Sequence, residues 1–242
     1  QILISFKFMR NTTFTEKDRI GIVANDAGAA NIIKAWVINF TNLNFYYCLG
    51  GPALKIFKNE FSLKSNRSLE DIISKCNVII TGTSYSSNLE YQARVKAKES
   101  NILSITFIDH WVNYELRFIR DNKIVLPDLI WVFDEDAEKI AKKIFENISI
   151  ERHTNFYIDQ TVKRIKKLEK IKDNTQSRIL YTLEPIRTMI KETSYPNELR
   201  VLDFFVKNFN KLNIKKNYEV RFRLHPSEKR EKYQAWFMEQ KQ

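Results

Sequence analysis

Four short loops in this chain hold the residue types that proton transfer and anion binding require. The first runs Asn25-Asp26-Ala27-Gly28, small residues that let a backbone approach a ligand closely, with one carboxylate among them. Asp26 stands where it can take a proton or accept from a sugar hydroxyl, and equally where it can cap the helix that follows. The second loop, Thr81 to Ser87, sets Thr83 and Ser84 among other hydroxyls around Gly82. Helix capping needs only one hydroxyl, so this loop is expected to face a phosphate or a sugar. The third places Asp109 and His110 beside Trp111, with Glu115 and Arg117 close behind. Asp and His suit proton transfer or hydroxyl binding, and aromatic faces suit sugar rings. A capped short helix with a satisfied histidine is the plainer alternative. The fourth is His225-Pro226-Ser227-Glu228. Proline fixes the backbone after the histidine, and Ser227 with the free N–H groups of a new helix makes a phosphate seat. Arg221 and Arg223 share strand parity with His225, and Glu184, ahead of Pro185, is a further candidate for a ligand hydroxyl.

All four loops follow strand-like runs. Ile20–Ala24, Asn44–Cys48, Asn77–Thr81, Ile102–Phe107, Leu129–Phe133 and Ile148–Arg152 are short β-branched or aromatic runs of the kind buried in parallel sheets. Helical patterns lie between them, near Ala29–Phe40, Leu69–Lys75, Ser87–Ser100 and Asp134–Phe145. Strand and helix in alternation predict an α/β fold with a doubly wound sheet, whose ligands sit at the carboxyl ends of its strands. The alternation restarts after a helical, lysine-rich stretch: strand 178–183, helix 197–209, strand 218–224 and a helix from about Ser227. The expected organisation is a Rossmann-like lobe over 1–152, a connecting helix within 153–176, and a partial Rossmann-like lobe over 177–242. Asp134-Glu135-Asp136 has the letters of a metal-binding DxD but reads as a helix start, and His153 reads as a surface residue.

The 242 residues, 43% of them hydrophobic, suffice for a buried core, and no run approaches a membrane span. Cys48 and Cys76 lack metal-ligand spacing and read as reduced buried thiols in a cytoplasmic protein; no metal or cofactor is expected. Net charge is +11 and unevenly spread. Residues 1–150 hold 19 basic and 17 acidic side chains, or +2; residues 151–242 hold 21 and 12, or +9. The second part therefore attracts anions such as nucleotide phosphates or an anionic membrane surface, unless its lysines are simply solvated helix faces. Basic residues interleaved with aromatics are too few to predict a specific nucleic-acid partner.

Taken with their flanks, "IVANDAGAAN", "TGTSYSSNLE", "FIDHWVNYELRF", "LPDLIWVFDEDA", "YTLEPI" and "RLHPSE" resemble bacterial glycosyltransferases of the two-lobed GT-B type, over roughly residues 19–236. The His-Pro pair is similar to that of sialyl and Kdo transferases, which use CMP-activated sugars. The layout is also similar to UDP-N-acetylglucosamine 2-epimerases. The resemblance implies transfer from a nucleotide sugar, itself the substrate, to a glycan or lipid-linked surface-polysaccharide acceptor, in the cytoplasm or at the inner face of the membrane. It makes His225 and Ser227 the donor-phosphate contacts and Asp26 the acceptor-side base, with Asp109 and His110 lining the same cleft. Family members continue past the His-Pro loop, so the second lobe is expected to be incomplete here. Rival expectations are a UDP-sugar epimerase or hydrolase, and a non-catalytic relative that binds nucleotide sugar without turnover.

Overall fold

The computed structural model describes residues 12–61, 65–85, 87–168, 177–186, 197–214, 217–226 and 228–240. The chain divides into two compact units, residues 1–168 and 169–242. In the first, six parallel strands form one sheet: β1 (Arg19–Ala24), β2 (Asn44–Leu49), β3 (Val78–Thr81), β4 (Leu103–Phe107), β7 (Leu129–Val132) and β8 (Ser149–Arg152), in the order β2-β1-β3-β4-β7-β8. β5 (Ile119–Arg120) and β6 (Lys123–Ile124) make a separate small hairpin. All six expected strands of the sheet are present, and the fold class is α/β as the sequence predicts.

Alternation along each strand explains the two-sided packing. Ile20, Ile22 and Ala24 of β1 join Ile80, Ile105, Phe107 and Trp131 on one face, under α1 (Ala27–Asn39) and α2 (Gly51–Lys58). Val23 points the other way, to Ile79, Cys48 and Cys76 and to α3 (Leu69–Lys75) and α4 (Leu89–Glu99). Ile130 and Val132 of β7 pack with Ile150, Phe145 and Phe118 beside α5 (Glu135–Ile144). Both faces of the sheet are covered, which is why its strands read as nearly continuous apolar runs. Burial raises the pKa of the Cys48 thiol and pushes that of Cys76 up to about 11. α6 (Phe156–Lys166) lies on α1, where Phe156 meets Phe40 at 6.1 Å between ring centres. No helix among the described residues is long and apolar enough to cross a membrane.

His153 corrects the expectation of a surface residue. Its side chain is only 14% exposed, lies 4.1 Å from Trp131 between ring centres, and faces Glu151 at 3.2 Å. Glu151 also accepts from Trp131 Nε1 at 2.9 Å and from the backbone N–H and hydroxyl of Thr12. Burial works to raise the Glu151 pKa, but these hydrogen bonds outweigh it and hold the carboxyl below its usual range. Burial lowers the pKa of His153, against the pull of Glu151.

In the second unit, β9 (Ser177–Thr182) and β10 (Tyr218–Arg223) pair in parallel. α7 (Glu198–Asn208) and α8 (Glu231–Glu239) complete the set of elements among its described residues, apart from a single 3-10 turn. Leu183, Leu202, Tyr233 and Trp236 form its core, with Phe222 and Tyr181 against them. Trp236 Nε1 donates to Asp203 Oδ1 at 2.6 Å, and the buried carboxylate of Glu198 pairs with Lys232. The last helix begins at Glu231, later than the sequence suggests, and Ser227 lies outside the described residues.

Candidate functional site

The strand order changes direction at β1. The chain passes from β1 to β2 on one side, then crosses back to β3 on the other. In open parallel sheets the crevice beyond the carboxyl ends of two such strands is the favoured ligand position, because the connecting helices diverge there. The loops after β1, β3 and β4 meet at this end of the first unit.

Asp26 occupies the N-cap position of α1, yet its side chain makes no capping hydrogen bond. Its Oδ1 instead accepts from Ser84 Oγ at 2.7 Å and from Asn25 Nδ2 at 3.2 Å. Of the two roles open in the sequence, helix capping is thus not the one its carboxylate performs. Ser84 and Thr83 are 2% and 5% exposed, and their hydroxyls bond within the protein, whereas Tyr85 of the same loop is exposed. Ser84 holds Asp26, and Thr83 Oγ1 accepts from Arg117 NH1 at 2.9 Å. Arg117 also reaches Asp109 Oδ1 at 3.2 Å, so one guanidinium ties the third loop to the second. The other oxygen of Asp109 lies against the first turn of α1. A β-carbon on Gly28 would stand 2.2 Å from Asp109 Oδ2, so any larger residue there would displace the Asp109 carboxylate.

Two residues that the sequence did not single out lie beneath this cluster. Glu90 is 1% exposed and accepts the backbone N–H of Asn25 at 3.0 Å and that of Ser84. One carboxylate thereby fixes the backbones of the first two loops to each other. Arg94, one turn further along α4 and equally buried, donates to the carbonyls of Val125 at 3.2 Å and Gly82 at 3.4 Å. Gly82 itself admits no side chain, since its β-carbon would lie 2.4 Å from that of Ala29. The sequence signal was present: Glu90, Ala93, Arg94 and Ala97 share the i, i+3, i+4, i+7 face of one helix, and that face turns inward.

Burial, helped by the charge of Asp26, pushes the Glu90 pKa up to about 7 against the two N–H bonds. The folded state therefore binds more protons than the unfolded state between the ordinary glutamate range and neutrality. Glu90 contributes stability that is fully present below about pH 4 and lost as pH rises through about 7. Glu90→Gln, which mimics the protonated side chain, is expected to flatten this part of the stability profile. Denaturant melts at pH 5, 6, 7 and 8 check it: parallel slopes for both proteins would contradict the assignment.

Beside the cluster an open cavity of about 380 Å³ is bounded by the first turn of α1, by His110 and Trp111, and by the starts of α5 and α6. Trp111 is half exposed and its Nε1 donates to Asp134 Oδ2 at 2.8 Å. Asp134 also caps α5 through Ala137 N at 2.7 Å, the helix start that the sequence predicts. His110 Nδ1 accepts the backbone N–H of Trp111 at 3.0 Å, which assigns the proton of the neutral ring to Nε2. Glu115 is exposed, on the short 3-10 turn Glu115–Phe118.

The second unit's candidates form no such cluster among the described residues. Arg223 and Glu184 are exposed at the ends of β10 and β9, and Arg221 pairs with Glu219 at 2.8 Å. His225 is half-buried just beyond β10, its carbonyl accepting from Glu228 N at 2.9 Å.

No protein-family model matches the chain, and no curated protein is significantly similar to it. Among solved structures it is similar to a UDP-GlcNAc 2-epimerase from Neisseria meningitidis, bound to UDP-GlcNAc. The match has a TM-score of 0.54 at 12% identity and covers 86% of this chain and 66% of that one. The likeness is one of fold. It extends through most of the sequence, including residues of both units, and the chain spans just under two thirds of that structure's length.

Proposed function

We propose that the chain binds a nucleotide-activated sugar and transfers the sugar to a glycan or lipid-linked acceptor. The observation that carries this reading is the carboxylate of Asp26. It stands at the switch point of a parallel sheet, is released from helix capping, and is oriented by Ser84 and Asn25. A base held in this way suits removal of the acceptor hydroxyl's proton as the sugar–phosphate bond breaks. Asp109 and His110 stand close by, the histidine as a donor through Nε2. His225, Ser227 and Arg223, in the strongly basic second part of the chain, are assigned to the phosphates that leave with the nucleotide. The fold likeness to an enzyme solved with UDP-GlcNAc supports a nucleotide sugar as the substrate.

The same likeness favours a second reading, isomerisation or hydrolysis of a UDP-sugar without an acceptor. Product analysis separates the two, because only transfer consumes the acceptor in step with the donor. The first experiment is a thermal-shift titration with UDP, CDP, CMP and their sugar conjugates, on wild type and His225→Ala. A nucleotide at 100 times its dissociation constant stabilises by about 2.7 kcal/mol, a readily visible shift. The expected result is stabilisation by one nucleotide class, lost in the variant. No shift with any of them would remove the reading.

A further inference from the structure

The cavity beside Trp111 has a chemistry more specific than proximity to Asp26 requires. Helix N-termini attract anions, and three of them border this cavity: α1 at Ala27 and Gly28, α5 at Asp134, and α6 at Asn155. Two of them are capped by the protein's own side chains, and a carboxylate stands beside the third. Asp134 accepts from Ala137 N at 2.7 Å, Asn155 Oδ1 accepts from Ile158 N at 3.1 Å, and Asp109 Oδ2 lies against Gly28. Among the described residues no lysine or arginine lines the space. An incoming carboxylate or phosphate would therefore meet carboxylates where it needs cations. The aromatic side chains point the other way, towards binding. Trp111 is 52% exposed, but the bond from its Nε1 to Asp134 fixes the ring in place, and Tyr157 at the start of α6 lines the same space. A fixed aromatic face beside carboxylate and imidazole groups recognises the C–H face and hydroxyl edge of a sugar ring.

We propose that this cavity is a saccharide subsite for an uncharged pyranose, with Trp111 as its platform, and that it discriminates against acidic sugars. Within the transferase reading, on which it rests, this makes the acceptor a neutral glycan terminus. The site should bind free sugar in the absence of any nucleotide, which allows the two ideas to fail separately.

The test is saturation-transfer NMR on the intact chain at tens of millimolar ligand. The probes are methyl glycosides of galactose, glucose and N-acetylglucosamine, set against the methyl glycosides of glucuronic and sialic acid. The expected result is transfer to at least one neutral glycoside and about tenfold weaker binding or none for the acidic ones. Trp111→Ala should weaken the neutral glycoside by about tenfold, while Trp111→Phe, which keeps an aromatic face, should retain most of the binding. Unchanged melting of both variants would show that the fold is intact. Equal transfer to acidic and neutral glycosides, insensitivity to Trp111→Ala, or no transfer to any glycoside would each overturn the subsite. If nucleotides still stabilise the chain in that last case, the transferase reading survives without it.

Discussion

Glu90→Leu is expected to lower the unfolding free energy by about 4 kcal/mol. The substitution removes no exposed charge and barely changes side-chain volume, so on composition alone it should be mild. Its effect follows from what the carboxylate accepts. The backbone N–H groups of Asn25 and Ser84 both end on the buried Glu90 carboxylate, and a leucine offers neither an acceptor. A buried donor left unmade costs about 1–3 kcal/mol, and two are stranded together. Arg94 would also lose its nearest compensating charge while remaining buried. Chemical denaturation checks the size of the effect. A companion Glu90→Leu/Arg94→Leu protein separates the stranded N–H groups from the stranded guanidinium, and a double variant no worse than the single one would mark the charge as the larger part. A loss under about 1 kcal/mol would mean that the two loops hold together without this brace. Because the brace fixes the loop that carries Asp26, ligand binding at that loop should weaken in the same variant.

Trp131→Ala is the second large loss, about 3–5 kcal/mol, for a different reason. The ring is fully buried, between Trp36 at 5.4 Å, Phe107 at 4.9 Å and His153 at 4.1 Å from centre to centre. Truncation opens a cavity that rigid neighbouring rings cannot close. It also takes one donor from Glu151, the carboxylate that anchors Thr12. The expected signature is a lower denaturation midpoint with an unchanged slope. Trp111→Ala, at the half-exposed ring, should leave the midpoint where it is. Similar losses at both positions would contradict the packing described for Trp131.

The strands of the large sheet were legible because parallel strands buried on both faces leave an uninterrupted apolar run in the sequence, as in Ile20–Ala24 or Leu129–Val132. What escaped followed from side chains whose partners are distant in sequence. α2 begins at Gly51-Pro52, letters that suggest a turn, although proline is well suited to the first turn of a helix. The small hairpin turns on Asp121 and Asn122, with φ of 48° and 58°; such left-handed pairs favour these residue types. Thr83 and Ser84 looked like ligand donors because nothing local in the sequence says that Arg117 and Asp26 come to meet them. His153 looked exposed because its polar neighbours are visible in the sequence, whereas the ring beneath it, Trp131, is 22 residues away. The loops after β1 and β4 were identified correctly as places where polar groups gather, since that depends only on their following strands of a parallel sheet.

The two buried thiols have a practical consequence. Cys48 and Cys76 lie under α3 and α4, and burial keeps them protonated at neutral pH, the form in which sulfur is a poor nucleophile. Together they are the whole cysteine complement of the sequence. The native protein thus offers a thiol-selective reagent almost nothing to react with. A cysteine introduced at the exposed position of Tyr85, on the loop between Asp26 and Arg120, becomes a single attachment point for a fluorophore or spin label, with no native residue to be deleted first.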